Sequence, residues 1–166
     1  MGRRPTRLIE FRVEDGSAVI EAMHELAAVH DGWINLYPQV RPEDEPPPRG
    51  GLTTLLLAGP VHDVPVCTWV AGKVTRQGVQ PDSIGIQHAA GARVLGRLAT
   101  SGLGLPDGWR LVQDHPRRGL VVAPAPEADH EEVLTWILEA GMVLSAVRLT
   151  GDWQAEVHLP AGPGPL

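Results

Sequence analysis

The chain is poor in the residues that staple, coat or anchor a protein. Cys67 is the single cysteine among 166 residues, so neither an internal disulfide nor a cysteine metal cluster is open to it. A lone cysteine fits a reducing compartment. Lysine is nearly missing: Lys73 is the only one of 14 basic residues that is not arginine, and the net charge is −6 with an isoelectric point near 5.6. Nucleic-acid affinity draws on clustered cations that displace counterions, so this balance argues against a nucleic-acid partner. The apolar runs near Leu55 and Leu120 fall far short of the roughly 20 residues a membrane span needs. The N-terminal stretch also lacks the apolar centre of a signal peptide, and a soluble, cytoplasmic protein without membrane partners is expected.

Whole classes of chemistry lack their motifs. There is no Walker loop, no dinucleotide fingerprint and no nucleophile elbow. Arg118 and Gly119 match the opening of an RNA-recognition strand, yet Leu120, Val122 and Ala125 stand where stacking aromatics are required. His24 and His30 are six positions apart, which is neither helical spacing that brings two ligands to one side. No metal and no cofactor are expected.

What is present reads as one globular domain over residues 1–166, with glycine and proline in frequent turns. Alternation predicts a strand over Arg7 to Val13. A helix from Ser17 follows, with Val19, Met23 and Leu26 on one face. Trp33 to Val40 is extended or irregular, and residues 38–51 form a proline-rich surface loop. Strands are expected at Thr53 to Ala58, joined by a hairpin to Pro65 to Ala71, where Cys67 and Trp69 share a face. A polar connection over Lys73 to Asp82 leads to a strand over Ser83 to Gln87. The next helix spans Ala89 to Gly102, and its small residues Ala92, Gly96 and Ala99 point to close packing on a sheet. Strands over Trp109 to Asp114 and Leu120 to Ala123 precede a helix from Asp129, capped with Glu132 and ended by Gly141. The last strands are Met142 to Leu149 and Trp153 to Leu159, before a flexible tail at 160–166. Asp31, Gly32, Trp33 and Asp107, Gly108, Trp109 form an internal echo, a turn followed by a tryptophan that opens an extended segment.

The fold class is therefore α+β, an antiparallel-rich sheet with helices mainly on one face. Residues 82–149 are expected to take a ferredoxin-like βαββαβ order. In such an order the first two strands run parallel and end at the same sheet edge. His88 would end one strand, and Asp114 with His115 the other, beside the start of the second helix. Arg117 and Arg118 follow in the turn. His88, Asp114, His115, Arg117 and Arg118 are thus the candidate ligand-binding residues, suited to a carboxylate or phosphate. The plainer alternative is a charged hairpin turn, bent by Pro116, with Gly119 left-handed and Asp114 paired to an arginine, and with His88 bonded to backbone.

The runs from Ile84 to Gly91 and from Gly108 to Val122 resemble a family of small actinobacterial proteins to which no activity is attached. That resemblance implies no function and carries over no catalytic residue. The sequence leaves enzymatic activity undecided. Its leading function is a non-enzymatic binding or regulatory module for a small anionic ligand or a protein partner, with a homodimer through a sheet edge among the arrangements the fold allows. The alternative is a small hydrolase or transferase using His88 and His115 as acid and base.

Overall fold

The computed structural model describes residues 6–46 and 62–160. The expected strand at Thr53 to Ala58, the last part of the proline-rich loop (residues 47–51) and the tail beyond residue 160 lie outside them. The chain is α+β. Strand β1 (Thr6–Arg12) leads to helix α1 (Ser17–Val29) and strand β2 (Trp33–Pro38), followed by a single 3-10 turn over Pro42–Asp44. Then come β3 (Val66–Val70), the short pair β4 (Val74–Thr75) and β5 (Gly78–Val79), and β6 (Ser83–Gln87). Helix α2 (Val94–Thr100), strands β7 (Arg110–His115) and β8 (Gly119–Ala123), helix α3 (His130–Leu144) and β9 (Asp152–His158) complete the described order.

Seven strands form one sheet in the order β1-β9-β2-β3-β6-β8-β7, and every neighbouring pair is antiparallel. Because β9 is antiparallel to both β1 and β2, those two run parallel around α1. The same logic makes β6 and β7 parallel around α2, with β8 between them. The echoed tripeptides open β2 and β7, the second strand of each unit. Gly32 (φ +102°) and Gly108 (φ +81°) supply the left-handed turn that each entry requires.

Strand periodicity decides what is buried. Ile34, Leu36, Cys67, Trp69, Ile84, Ile86, Trp153, Ala155 and Val157 are buried, while the residues between them are half-buried. Val19, Met23 and Leu26 of α1 join that core as their spacing predicts, as do Val133, Leu134, Ile137 and Leu138 of α3. Helix α3 packs on α1, on α2 and on β3.

Several expected elements come out differently. The strand predicted over Met142 to Leu149 does not form, because α3 continues to Leu144 and no strand follows before β9. The ferredoxin-like order of residues 82–149 is therefore not completed there: β9 lies between β1 and β2, and the place beside β6 belongs to β3. Gly141 does not end α3. A Cβ there would stand 2.9 Å from the Trp153 ring and 3.1 Å from the Cys67 sulfur, so the bare backbone is what lets the helix approach the sheet. The second helix is shorter than expected, because Gly91 (φ +88°) and Arg93 (φ +57°) hold the preceding residues out of a helical path. Its small residues Ala92, Gly96 and Ala99 are exposed, and nothing lies within 4 Å of a Cβ built at Gly96. The polar connection 73–82 contains the β4–β5 ribbon.

The two helical glycines should respond in opposite directions. Gly141→Val should destabilise the fold by roughly 1–3 kcal/mol through overpacking. Gly96→Ala should stabilise it by up to about 1 kcal/mol through helix propensity. Urea midpoints with unchanged slopes check both.

Candidate functional site

The five residues singled out from sequence are held mainly by the backbone of their own neighbourhood. Asp114 is the next-to-last residue of β7, and its two carboxylate oxygens accept from the backbone N–H groups of Val94 (3.2 Å) and Leu95 (3.1 Å) at the start of α2. The carboxylate that was to be bound by this helix start is thus the protein's own. His115 Nδ1 accepts from the N–H groups of Arg117 and Arg118, both at 3.1 Å, which closes the turn. Gly119 is left-handed at φ +85°, and the Arg118 carbonyl accepts from the side-chain amides of Gln87 and Gln113. Asp114 has no arginine partner among the described residues, and Arg117 and Arg118 are exposed. The charged-turn alternative describes this segment well, except that helix amides replace the arginine.

His88 is 5% exposed, and its Nδ1 accepts from the Ala90 N–H at 3.1 Å. That fixes the hydrogen on Nε2, which is buried without a partner among the described residues. Burial pushes the His88 imidazole below its ordinary value; Arg97 and His62 push the same way and Asp114 opposes them. Cys67 is fully buried on β3, and burial pushes its thiol up to about 12, so it packs as a small hydrophobe and offers no nucleophile.

Two other groupings went unnoticed in the sequence because their members are far apart along it. One lies across β9, β2 and β3: Trp33 stacks on His158 with centroids 4.4 Å apart, His158 Nε2 is 2.5 Å from Glu156, and Thr68 donates to Asn35 at 2.9 Å. Alternation puts Glu156, Asn35, Thr68 and Gly85 in one row of register partners. That row was legible only once the pairing was known.

The other grouping is a cleft of about 610 Å3 between the end of α1, the β5–β6 connection, and the β8–α3 connection. Ala27, Ala123, Pro124 and Ala125 give it apolar walls, and Arg110, Asp82, His30 and His130 give it polar ones. Asp82 accepts from the Gly72 N–H at 2.8 Å, whereas Arg110 forms no ion pair among the described residues. His30 Nδ1 lies 3.2 Å from the Gly72 carbonyl and must donate to it. His130 Nδ1 lies 2.8 Å from His24 Nδ1, so the true partner of His24 is a residue on α3, not His30. The His130 ring also stands edge-on to Trp69 at 5.6 Å. Burial lowers the affinity of His130 for a proton, His24 lowers it further, and Asp82 and Asp129 act against them. Asp129 caps α3 as its sequence predicts, accepting from the Glu132 N–H at 2.8 Å. Among the described residues no group of three or more His, Cys, Asp or Glu side chains is arranged for a metal ion, and no helix is long and apolar enough to cross a membrane.

Two measurements test these assignments. Asp114→Ala should cost roughly 1–3 kcal/mol, since it strips two helix amides of their acceptor, while Arg117→Ala with Arg118→Ala should change stability by less than about 0.5 kcal/mol. Chemical denaturation reads both. His88 and His130 bind a proton less readily in the folded protein than at the ordinary value of 6.5. Their contribution is therefore fully present above pH 6.5, and it falls away as the pH drops below that value toward the lowered folded-state values. A melting profile across pH 8 to 5 should decline on the acid side, and His88→Phe should flatten part of that decline. Compared with protein-family models, curated proteins and solved structures, the chain matches none, and the geometry alone speaks to its function.

Proposed function

We propose that the protein is a non-enzymatic binding module for a small anionic ligand, a carboxylate with an apolar body, held in the cleft beside Arg110. The observation that carries the reading is a cleft of about 610 Å3 that joins apolar walls to an arginine without an ion-pair partner among the described residues. That volume falls within the roughly 300–1,000 Å3 usual for small-molecule sites, which also combine apolar lining with a few polar groups. A guanidinium presents a planar donor fork that matches a carboxylate. His30 and His130 add further polar edges to the same walls.

The reading takes the three helices to lie on one face of the sheet. Each joins two parallel strands, and right-handed crossovers in these directions all fall on the same side. The packing of α3 on both other helices agrees with that arrangement. An acid–base role for His88 and His115 draws no support from their geometry, because each ring spends its Nδ1 lone pair on backbone N–H groups.

Calorimetry with benzoate, phenylacetate and hexanoate, set against the matching neutral amides, tests the proposal. The carboxylates should bind and the amides should not. Arg110→Gln should weaken binding about tenfold or more, the loss of a charged hydrogen bond. Val79→Trp, a bulky side chain at the cleft wall, should also weaken it. Equal affinity for wild type and Arg110→Gln, or no binding of any carboxylate, would overturn the reading.

A further inference from the structure

We propose that His24 and His130 together form the proton site of this cleft: when a carboxylate binds beside Arg110, the pair takes up one proton and holds it between the two Nδ1 atoms. This inference rests on the cleft reading and adds its regulation by pH.

The geometry sets the stoichiometry. With the Nδ1 atoms 2.8 Å apart, a single hydrogen fits between them, donated by one ring and accepted by the other. A neutral pair satisfies this with one tautomer of each kind, and a singly charged pair satisfies it with a stronger, charge-assisted bond. Two charged rings would set two N–H groups against each other across the same gap, and the contact would break. The pair therefore accommodates one added proton and resists a second. The rings are tilted by 54° with centroids 4.5 Å apart, and the His130 ring is fixed on its other side by the edge contact with Trp69.

The surroundings explain why the proton arrives with the ligand. In the empty cleft, burial of His130 and the positive end of α3 disfavour charge on the pair. The charged groups acting on His130 are Asp82 from the β5–β6 connection and Asp129 at the α3 cap, and Arg110 lines the same cleft. Both carboxylates already accept from backbone N–H groups, at Gly72 and Glu132. A ligand carboxylate beside Arg110 adds a negative charge that tips this balance. By linkage, a proton that strengthens ligand binding is itself held more tightly once the ligand is bound. His30 is the competing imidazole in the cleft; its Nδ1–H is engaged by the Gly72 carbonyl, and only its other nitrogen is open to a proton.

The experiment is calorimetric titration of the full chain with phenylacetate at pH 6.5, in buffers of different ionisation enthalpy. Wild type should take up a fraction of a proton per ligand that rises toward one and does not exceed it. Its affinity should strengthen between pH 8 and pH 6 by at most about tenfold per unit, the limit for one linked proton. His24→Leu with His130→Leu should abolish the uptake, and His30→Gln should keep it. Binding without proton uptake in wild type overturns the inference and leaves the cleft reading standing. Uptake that persists in the double variant but vanishes in His30→Gln moves the proton to His30 and also overturns it. Absence of phenylacetate binding at both pH values removes the cleft reading and this inference together. Should the double variant fail to fold, imidazole NMR of wild type decides: phenylacetate should shift the His24 and His130 titrations upward together and leave that of His30 in place.

Discussion

Helix α3 reaches the sheet because position 141 carries no side chain. At that point the Trp153 ring from β9 and the Cys67 sulfur from β3 occupy the space a Cβ would need. The approach matters beyond one contact, since α3 also packs on α1 and α2 and so joins the two βαβ units. The same helix carries His130 at its first position, against Trp69 and His24, and that position forms one wall of the cleft. Close packing at one end of α3 and the geometry of the cleft at the other are properties of one rigid rod.

The charged turn after β7 shows how a conspicuous polar cluster can be consumed by structure. The start of α2 meets the negative charge of the chain's own Asp114. His115 likewise turns its lone pair inward to the two amides that follow it. Arg110, which stands outside the cluster, lines the cleft.

Legibility followed distance along the chain. The apolar faces of α1 and α3, the Asp129 cap and the burial of Cys67 with Trp69 are set by residues within a turn or a strand of each other, and periodicity exposes them. Gly141 misled because a glycine near the end of an apolar pattern looks like a stop, and only the partners on β3 and β9 reveal it as a point of close approach. The proline-poor run after it looked like a strand because Met, Val and Leu serve helix and strand alike. The His24–His130 contact joins positions 106 residues apart, and no local rule pairs them. The sheet order was legible in part: the expectation that the strands from Ser83 and from Trp109 run parallel holds, while the position of β9 needed the whole fold.

That position of β9 has a consequence for how the molecule is made. Strand β1 has β9 as its partner in the sheet, and β9 also separates β1 from β2. Until the chain has been synthesised past His158, β1 and β2 lack the strand that joins them among the described residues. The β6–β8–β7 unit has no such wait, since its middle strand follows directly after β7. Strand β1 is thus tied into the sheet by a strand that lies far along the chain from it, a zip closed from the far end.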